Sequence, residues 1–277
     1  ILLSGFVGSA FAQITMTVDG NVVKQLMGYD DVGDPIFVEK PLDDLLDEMS
    51  GKGVIFNTQE GSFMIELFPE DAPIHVYRFL ELVKSGYYEG IIFHRIIPGF
   101  MIQGGDPNTK DPESDRATWG SGGPGYSIDN EFNTIKHERG IVSMARYSDV
   151  DSAQSQFFIV VEDSPHLDGQ YTAFGRLVPG TYSLHNLDQI AELKTDAGNA
   201  PADASKAKII KTEVINFSGS GYLLPPERLD SVIRPIDQGG GTIKQYISEK
   251  YDVVFNLPYR WDVIDETSGD LLRLQLK

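Results

Sequence analysis

Apolar and polar positions alternate over short runs through the middle of the chain, and turn residues separate the runs. Val54–Thr58 and Ser62–Leu67 flank Gln59-Glu60-Gly61, which predicts a hairpin. Further runs of strand character are Phe93–Ile97, Phe100–Gly104, Gly140–Ala145, Phe157–Val161, Thr172–Leu177 and Ile209–Val214. Helical spacing replaces this alternation twice. Asp71-Ala72-Pro73 predicts an N-cap with proline in the first turn, and Val76, Phe79, Leu80 and Val83 then recur on one face before Gly86. Leu184, Leu187, Ile190 and Ala191 form a second such face. Eight strands and two helices predict a mainly β fold, a closed eight-stranded antiparallel barrel capped by two α-helices, because closure removes exposed strand edges.

The flanks carry weaker patterns. Residues 13–50 hold strand-like Ile14–Val18 and Ile36–Val38, followed by an acidic stretch from Pro41 to Glu48. Leu42, Leu45, Leu46 and Met49 fit one helix face there, with the carboxylates as its solvated side. Ser218-Gly219-Ser220-Gly221 predicts a flexible joint after Phe217. Beyond it Thr242–Tyr251 reads as a helix, and Trp261–Ile264 reads as pairing with Leu271–Leu276 across Asp265–Asp270. The chain therefore divides into residues 1–12, an acidic extension 13–50, a central domain 51–217, and a C-terminal extension or accessory lobe 218–277.

Residues 1–12 are apolar and uncharged and end in Ala10-Phe11-Ala12. That pattern resembles the apolar region and A-x-A cleavage site of a secretory signal peptide, with a buried strand or helix as the other reading. The expectation is a partial leader, export to a periplasm-like compartment, and a mature chain from Gln13. A membrane-spanning helix needs about 20 apolar residues, and this run ends sooner, so no membrane insertion of the mature chain is expected.

Charge and composition narrow the chemistry. The 277 residues carry a formal charge of −18, spread as −7 over residues 13–50, −9 over 51–217 and −2 over 218–277. Phosphate backbones and anionic membranes are repelled by such a surface, which argues against a nucleic-acid partner. The absence of cysteine excludes disulfides, zinc–thiolate sites, iron–sulfur clusters and a cysteine nucleophile. No histidine spacing suggests a metal, and no cofactor is implied. Gly120-Ser121-Gly122-Gly123-Pro124-Gly125 matches G-x-G-x-x-G, but Pro124 blocks a following helix, so the stretch is a loop rather than a nucleotide site.

The chemistry-bearing string runs from Phe93-His94-Arg95 through Phe100-Met101-Ile102-Gln103-Gly104-Gly105-Asp106. Strand alternation predicts Arg95 and Gln103 among apolar neighbours instead of on a solvated face, and an arginine so placed has either an ion-pair partner or a task. Ser155-Gln156-Phe157-Phe158-Ile159 and His166-Leu167-Asp168-Gly169-Gln170-Tyr171 add aromatic and amide groups.

Over about Gly53–Phe217 these strings resemble the cyclophilin-type peptidyl-prolyl cis-trans isomerases. The resemblance implies an eight-stranded barrel with a proline pocket on its outer surface and proline-containing unfolded polypeptides as substrates. It implies Arg95 as the catalytic arginine, and Phe100, Met101, Phe158 and Leu167 as the walls of the proline pocket. Gln103 and Gln156 would bond the substrate backbone, with Ala145 lining the channel. Arg146, His166 and Tyr171 stand where the eukaryotic pattern has asparagine, tryptophan and histidine; these exchanges resemble bacterial relatives and imply weak binding of cyclosporin. The loop from Pro107 to Trp119 is long, and Trp119 is placed to reach the groove. Two classes of function follow, an isomerase of exported proteins or a module that binds proline segments without turnover; a hydrolase lacks any G-x-S-x-G elbow or triad spacing.

Overall fold

A computed structural model describes residues 16–19, 21–29, 32, 35–111, 114–179, 181–218, 221–222, 243–248, 253–258, 261–264 and 273–276. The expected leader, residues 1–12, and Gln13 lie outside these, as do Gly219, Ser220 and 265–270. The chain forms two compact units, Ile1–Ile215 and Asn216–Lys277.

The first unit opens with a three-stranded antiparallel sheet, β1 (Met16–Asp19), β2 (Val22–Tyr29) and β3 (Pro35–Pro41), joined directly to helix α1 (Leu42–Met49). Leu45 and Met49 are buried on α1 and join Val23 in the main core, while Asp43, Asp44, Asp47 and Glu48 face solvent. Strands β4 (Lys52–Thr58) and β5 (Gly61–Leu67) make the expected hairpin, with Thr58 opposite Gly61. Gly61 has φ +120°, and a Cβ there would collide with the side chain of Asn186, so glycine alone fits.

Helix α2 (Pro73–Lys84) follows, then β6 (Arg95–Ile97), β7 (Met101–Gly104), β8 (Ile141–Met144), β9 (Phe157–Val160), β10 (Ala173–Leu177), α3 (Ser183–Ala191) and β11 (Ile209–Ser218). Strands β4 to β11 form one curled antiparallel sheet in the order β11-β4-β5-β10-β8-β9-β7-β6. The expected closed barrel is not formed: the ladder stops at β6, and the sheet is an open half-barrel. Gly86 and Gly90, at φ +71° and +86°, turn the chain just ahead of β6, and the turn at Pro98-Gly99 follows it, so only three residues remain extended. No ladder joins β6 to β11: the residues ahead of β6 meet 207–209 through the isolated bridge Ile92–Lys208 and through backbone bonds from Gly90 N to Ile209 O, Ile209 N to Ile91 O and Phe93 N to Ala207 O, while Ile96 gives its N–H to Asn199 O at 2.8 Å. Beside β6 itself a loop, not a strand, thus covers the edge.

The core between sheet and helices is aromatic. Phe56, Phe63, Phe79, Tyr88, Phe93, Phe157 and Phe174 are fully buried, with Phe79 and Phe174 centroids 4.9 Å apart. Apolar positions of α2 at 76, 79, 80 and 83 all enter this core, as the periodicity predicts. Asp71 does not cap α2, however. Ala72 occupies the cap position, and the carboxylate of Glu131 accepts from the N–H groups of Ile74 at 3.0 Å and His75 at 2.9 Å. The same carboxylate meets His75 Nδ1 at 2.6 Å, so a side chain distant in sequence satisfies the orphan donors of the first turn.

In the second unit β12 (Gly221–Tyr222) pairs with the end of β11, and two hairpins follow: β13 (Ile243–Ser248) with β14 (Val253–Pro258), and β15 (Trp261–Ile264) with β16 (Arg273–Leu276). The second hairpin matches the expected pairing. The expected helix over 242–251 is instead β13, where Tyr246 and Ile247 lie opposite Phe255 and Val254 in the register; β-branched and aromatic residues favour a strand.

Candidate active site

The register of five strands builds the site. Arg95 lies opposite Gln103, Gln103 opposite Phe158, Phe158 opposite Ser143, and Ser143 opposite Ala173. The neighbouring row, Ile96, Ile102, Ile159 and Val142, is fully buried in the main core. Successive side chains of a strand point to opposite faces, so the Arg95 row stands on the outer face. Arg95 itself is exposed, which corrects the expectation of a position away from solvent.

At one end of the row is an apolar hollow separate from the main core. Met101, Phe158, Leu167 and Ala173 are buried in it, and Phe100, Ala145 and Tyr171 pack half-buried at its edge. A single 3-10 turn, Pro165–Leu167, directs Leu167 inward and leaves His166 exposed, its ring 5.4 Å from that of Phe100. Tyr171 meets Phe158 edge-on at 5.6 Å. Arg146 lies over the Tyr171 ring at 4.8 Å and donates from Nε to Gln170 O and from Nη1 to Tyr147 O.

Behind the hollow is a trio that the sequence reading did not single out. Asp168 accepts from His137 N at 2.8 Å and faces His137 Nδ1 at 3.2 Å, while His137 Nε2 meets Ser143 Oγ at 3.0 Å. The His137 ring stacks on Phe158 at 6.1 Å. The order Asp–His–Ser is that of a hydrolase triad, but Ser143 is 0% exposed, so its hydroxyl meets no substrate. The trio is a brace under Phe158. Burial pushes the His137 pKa down, opposed by Asp168, and the His137 N–H holds the Asp168 carboxyl below its ordinary value.

At the other end is a polar groove of about 760 Å³, lined by Arg95, Arg116, Trp119, Arg146, Gln156 and Asp196 among others. Arg95 Nη1 points at Gln103 Oε1 at 3.4 Å, a long contact that leaves its donors available. Gln103 Nε2 donates to Gln156 Oε1 at 3.0 Å, and Gln156 Nε2 donates to the carbonyls of Gly120 at 3.0 Å and Gly122 at 2.9 Å. Two carbonyls facing one nitrogen fix the orientation of this amide. Gln156 is buried with both ends engaged, so its polar atoms tie Gln103 to the loop.

That loop is organised by Asp106, which is fully buried and accepts from Asn108 N at 2.8 Å, Gly122 N at 3.2 Å and Gly120 N. The glycine run 120–125 therefore wraps a carboxylate of its own chain. His94 lies beside it, and burial pushes its pKa down to about 4, so it is neutral at pH 7. Trp119 lines the groove, and Arg116 and Asp196, absent from the sequence reading, do so too. Arg116 is reachable from the long 107–119 loop, whereas nothing local marks residues 194–201 as belonging beside it. Among the described residues no group of three or more His, Asp or Glu stands together as a metal site.

A guanidinium beside an apolar hollow suits polarisation of a bound group. The family model "Cyclophilin type peptidyl-prolyl cis-trans isomerase" matches residues 53–214. A probable peptidyl-prolyl cis-trans isomerase of Brucella suis is 40% identical over 159 residues, which is 56% of this chain and 81% of that protein. Peptidyl-prolyl cis-trans isomerase B of Bacillus subtilis is 42% identical over 136 residues, 47% of this chain and 88% of that protein. A solved cyclophilin-type isomerase of Cryptosporidium parvum covers 60% of this chain and 99% of its own, at 33% identity and TM-score 0.53. Matched by the family model over more than half its length, the chain belongs to the cyclophilin-type peptidyl-prolyl cis-trans isomerases and is an isomerase.

Proposed function

We propose that this isomerase turns X–Pro bonds by holding the proline ring in the hollow of Phe100, Met101, Phe158 and Leu167 and aiming Arg95 at the prolyl nitrogen. Amide resonance sets a barrier of about 20 kcal/mol to rotation. In the twisted transition state that resonance is lost, and the nitrogen becomes pyramidal and basic. A donor aimed at it favours the twisted form over either planar form, and each ~1.4 kcal/mol of that preference gives about tenfold in rate. No bond is made or broken, and neither metal nor cofactor is called for. Gln103 holds the backbone of the residue before proline, and Gln156 positions Gln103.

The observation that carries this reading is the row that sets exposed Arg95 beside Gln103 and the buried face of Phe158. Its test is exchange NMR on a short Ala-Pro peptide. Line broadening between cis and trans signals supports turnover, and its absence at enzyme concentrations that bind the peptide leaves a proline-binding module instead. We extend the proposal to exported client proteins on the strength of the apolar run Ile1–Ala12 alone; recovery of the expressed protein only in the cytosolic fraction would remove that part.

A further inference from the structure

The arginines of the first unit are unevenly partnered. Arg78 meets Glu81, Arg116 meets Asp196, Arg139 meets Asp188 and Arg176 meets Glu66. Arg95 and Arg146 meet no carboxylate among the described residues, and both line the groove. This is notable in a chain with 41 acidic and 23 basic residues, where a carboxylate is seldom far away.

The charge balance of the groove follows from its walls. Arg95, Arg116 and Arg146 are cationic, and His94 is neutral because burial lowers its pKa to about 4. Asp196 is the carboxylate of the groove, and it is already engaged. Its Oδ1 accepts from Gly198 N at 2.8 Å and Ala200 N at 3.0 Å, and its Oδ2 meets Arg116 Nη1 at 3.2 Å. Two positive charges remain without a counterion in a concave site, which concentrates the potential there against the acidic surroundings.

Two of the three cations are also held in place. Arg146 is fixed by the Tyr171 ring and two backbone carbonyls, and Arg116 lies 5.0 Å from the Trp119 ring. A guanidinium has five N–H donors, so donors of Arg95 and Arg146 remain for an incoming carboxylate, and Arg146 has little side-chain freedom left to lose. The groove has a direction as well. It shares Gln103, Gln156 and Ala145 with the site but none of the hollow's walls Phe100, Met101, Phe158 or Leu167. With Gln103 holding the residue before proline, the chain leaving that residue towards its N-terminus crosses the groove.

We infer that the groove receives an acidic side chain upstream of the isomerised proline, so that segments with Asp or Glu ahead of X–Pro are the preferred substrates. This rests on the assignment of Arg95 and the hollow given above. The test is exchange NMR on the full chain with peptides that share Ala-Pro and differ only two residues before the proline, where they carry Asp, Asn or Lys. The Asp peptide is turned over about fivefold faster than the Asn peptide in kcat/KM, Lys is slowest, and the spread narrows in 1 M NaCl. R146Q moves the Asp-to-Asn ratio towards one, whatever its effect on absolute rate. Equal rates for the three peptides, a preference for Lys, or an unchanged ratio in R146Q overturns the inference while leaving the isomerase reading intact. So does an equal acidic preference when the charge is placed two residues after the proline. No turnover of the neutral Asn peptide sinks the isomerase reading, and this inference with it.

Discussion

Gln156→Glu changes one NH2 into an oxygen, yet it strikes the joint between sheet and loop. In the parent the side-chain nitrogen gives two hydrogen bonds, to Gly120 O at 3.0 Å and Gly122 O at 2.9 Å, and the oxygen accepts one from Gln103. Each such bond contributes about 1 kcal/mol net. The glutamate keeps the bond from Gln103, loses the other two, and turns a carboxylate oxygen towards two carbonyls at a position only 7% exposed. The two lost bonds and the electrostatic penalty together predict a loss of about 3–4 kcal/mol at pH 7. Gln156→Ala loses all three bonds but buries no charge, and is expected to lose about 2–3 kcal/mol. The pH dependence separates the two. Burial raises the folded-state pKa of the introduced carboxyl, so its penalty is absent below the unfolded value of about 4.3 and grows as pH rises through the interval up to the folded value. Urea unfolding of parent and both variants at pH 4 and pH 7, with peptide turnover alongside, reads this directly. Parental stability and turnover for Q156E at pH 7 would refute the reasoning that this amide anchors Gln103 and the 106–122 loop.

Other positions give simpler expectations. Gly105 has φ +93°, and a Cβ there would collide with the backbone carbonyl of Ser155, so Gly105→Ala is expected to cost about 2–4 kcal/mol; a parental melting temperature would contradict the close approach. Glu131→Ala removes the acceptor for two N–H groups at the start of α2 and for His75, with an expected loss of about 2–3 kcal/mol in denaturant unfolding; a loss under about 0.5 kcal/mol would show that water replaces the cap. His94 titrates near about 4 when folded, because of burial, against about 6.5 unfolded. Its folded pKa is depressed, so its contribution is complete above pH 6.5 and is lost as pH falls towards 4, at about 1.4 kcal/mol per pH unit. His94→Gln should flatten that slope in unfolding midpoints measured across the same window, and an unchanged slope would place the titrating group elsewhere.

Much of the sheet was legible because strand alternation is local. The runs at 54–67, 100–104 and 157–161 appear within two residues of their expected bounds, and the faces of α2 and α3 are those the periodicity names. What escaped depends on contacts distant in sequence. Asp71 looks like a cap, but Glu131 reaches α2 first, and no window of the sequence holds both ends of that bond. Closure failed for a related reason: the residues just ahead of Arg95 meet 207–209 by scattered backbone bonds and one isolated bridge, and beside β6 the 194–201 loop takes the edge instead. The tie between Arg116 and Asp196 spans two loops. The Asp168–His137–Ser143 brace spans three segments, although the Leu167-Asp168 pair does mark the spot. Residues 243–248 were read as a helix, and they instead pair with β14, a strand ten residues on that a local reading does not weigh.

The central claim is that one guanidinium, outside the core and over a proline-sized hollow, lowers the barrier to imide rotation. Arg95→Ala tests it most directly, by exchange NMR on an Ala-Pro peptide with chemical shifts of the variant recorded in the same experiment. Arg95 is exposed and its nearest recorded polar contact is the 3.4 Å approach to Gln103, so the fold is expected to stand unchanged while turnover falls about 100-fold or more. A folded variant that interconverts cis and trans at the parental rate would contradict the account.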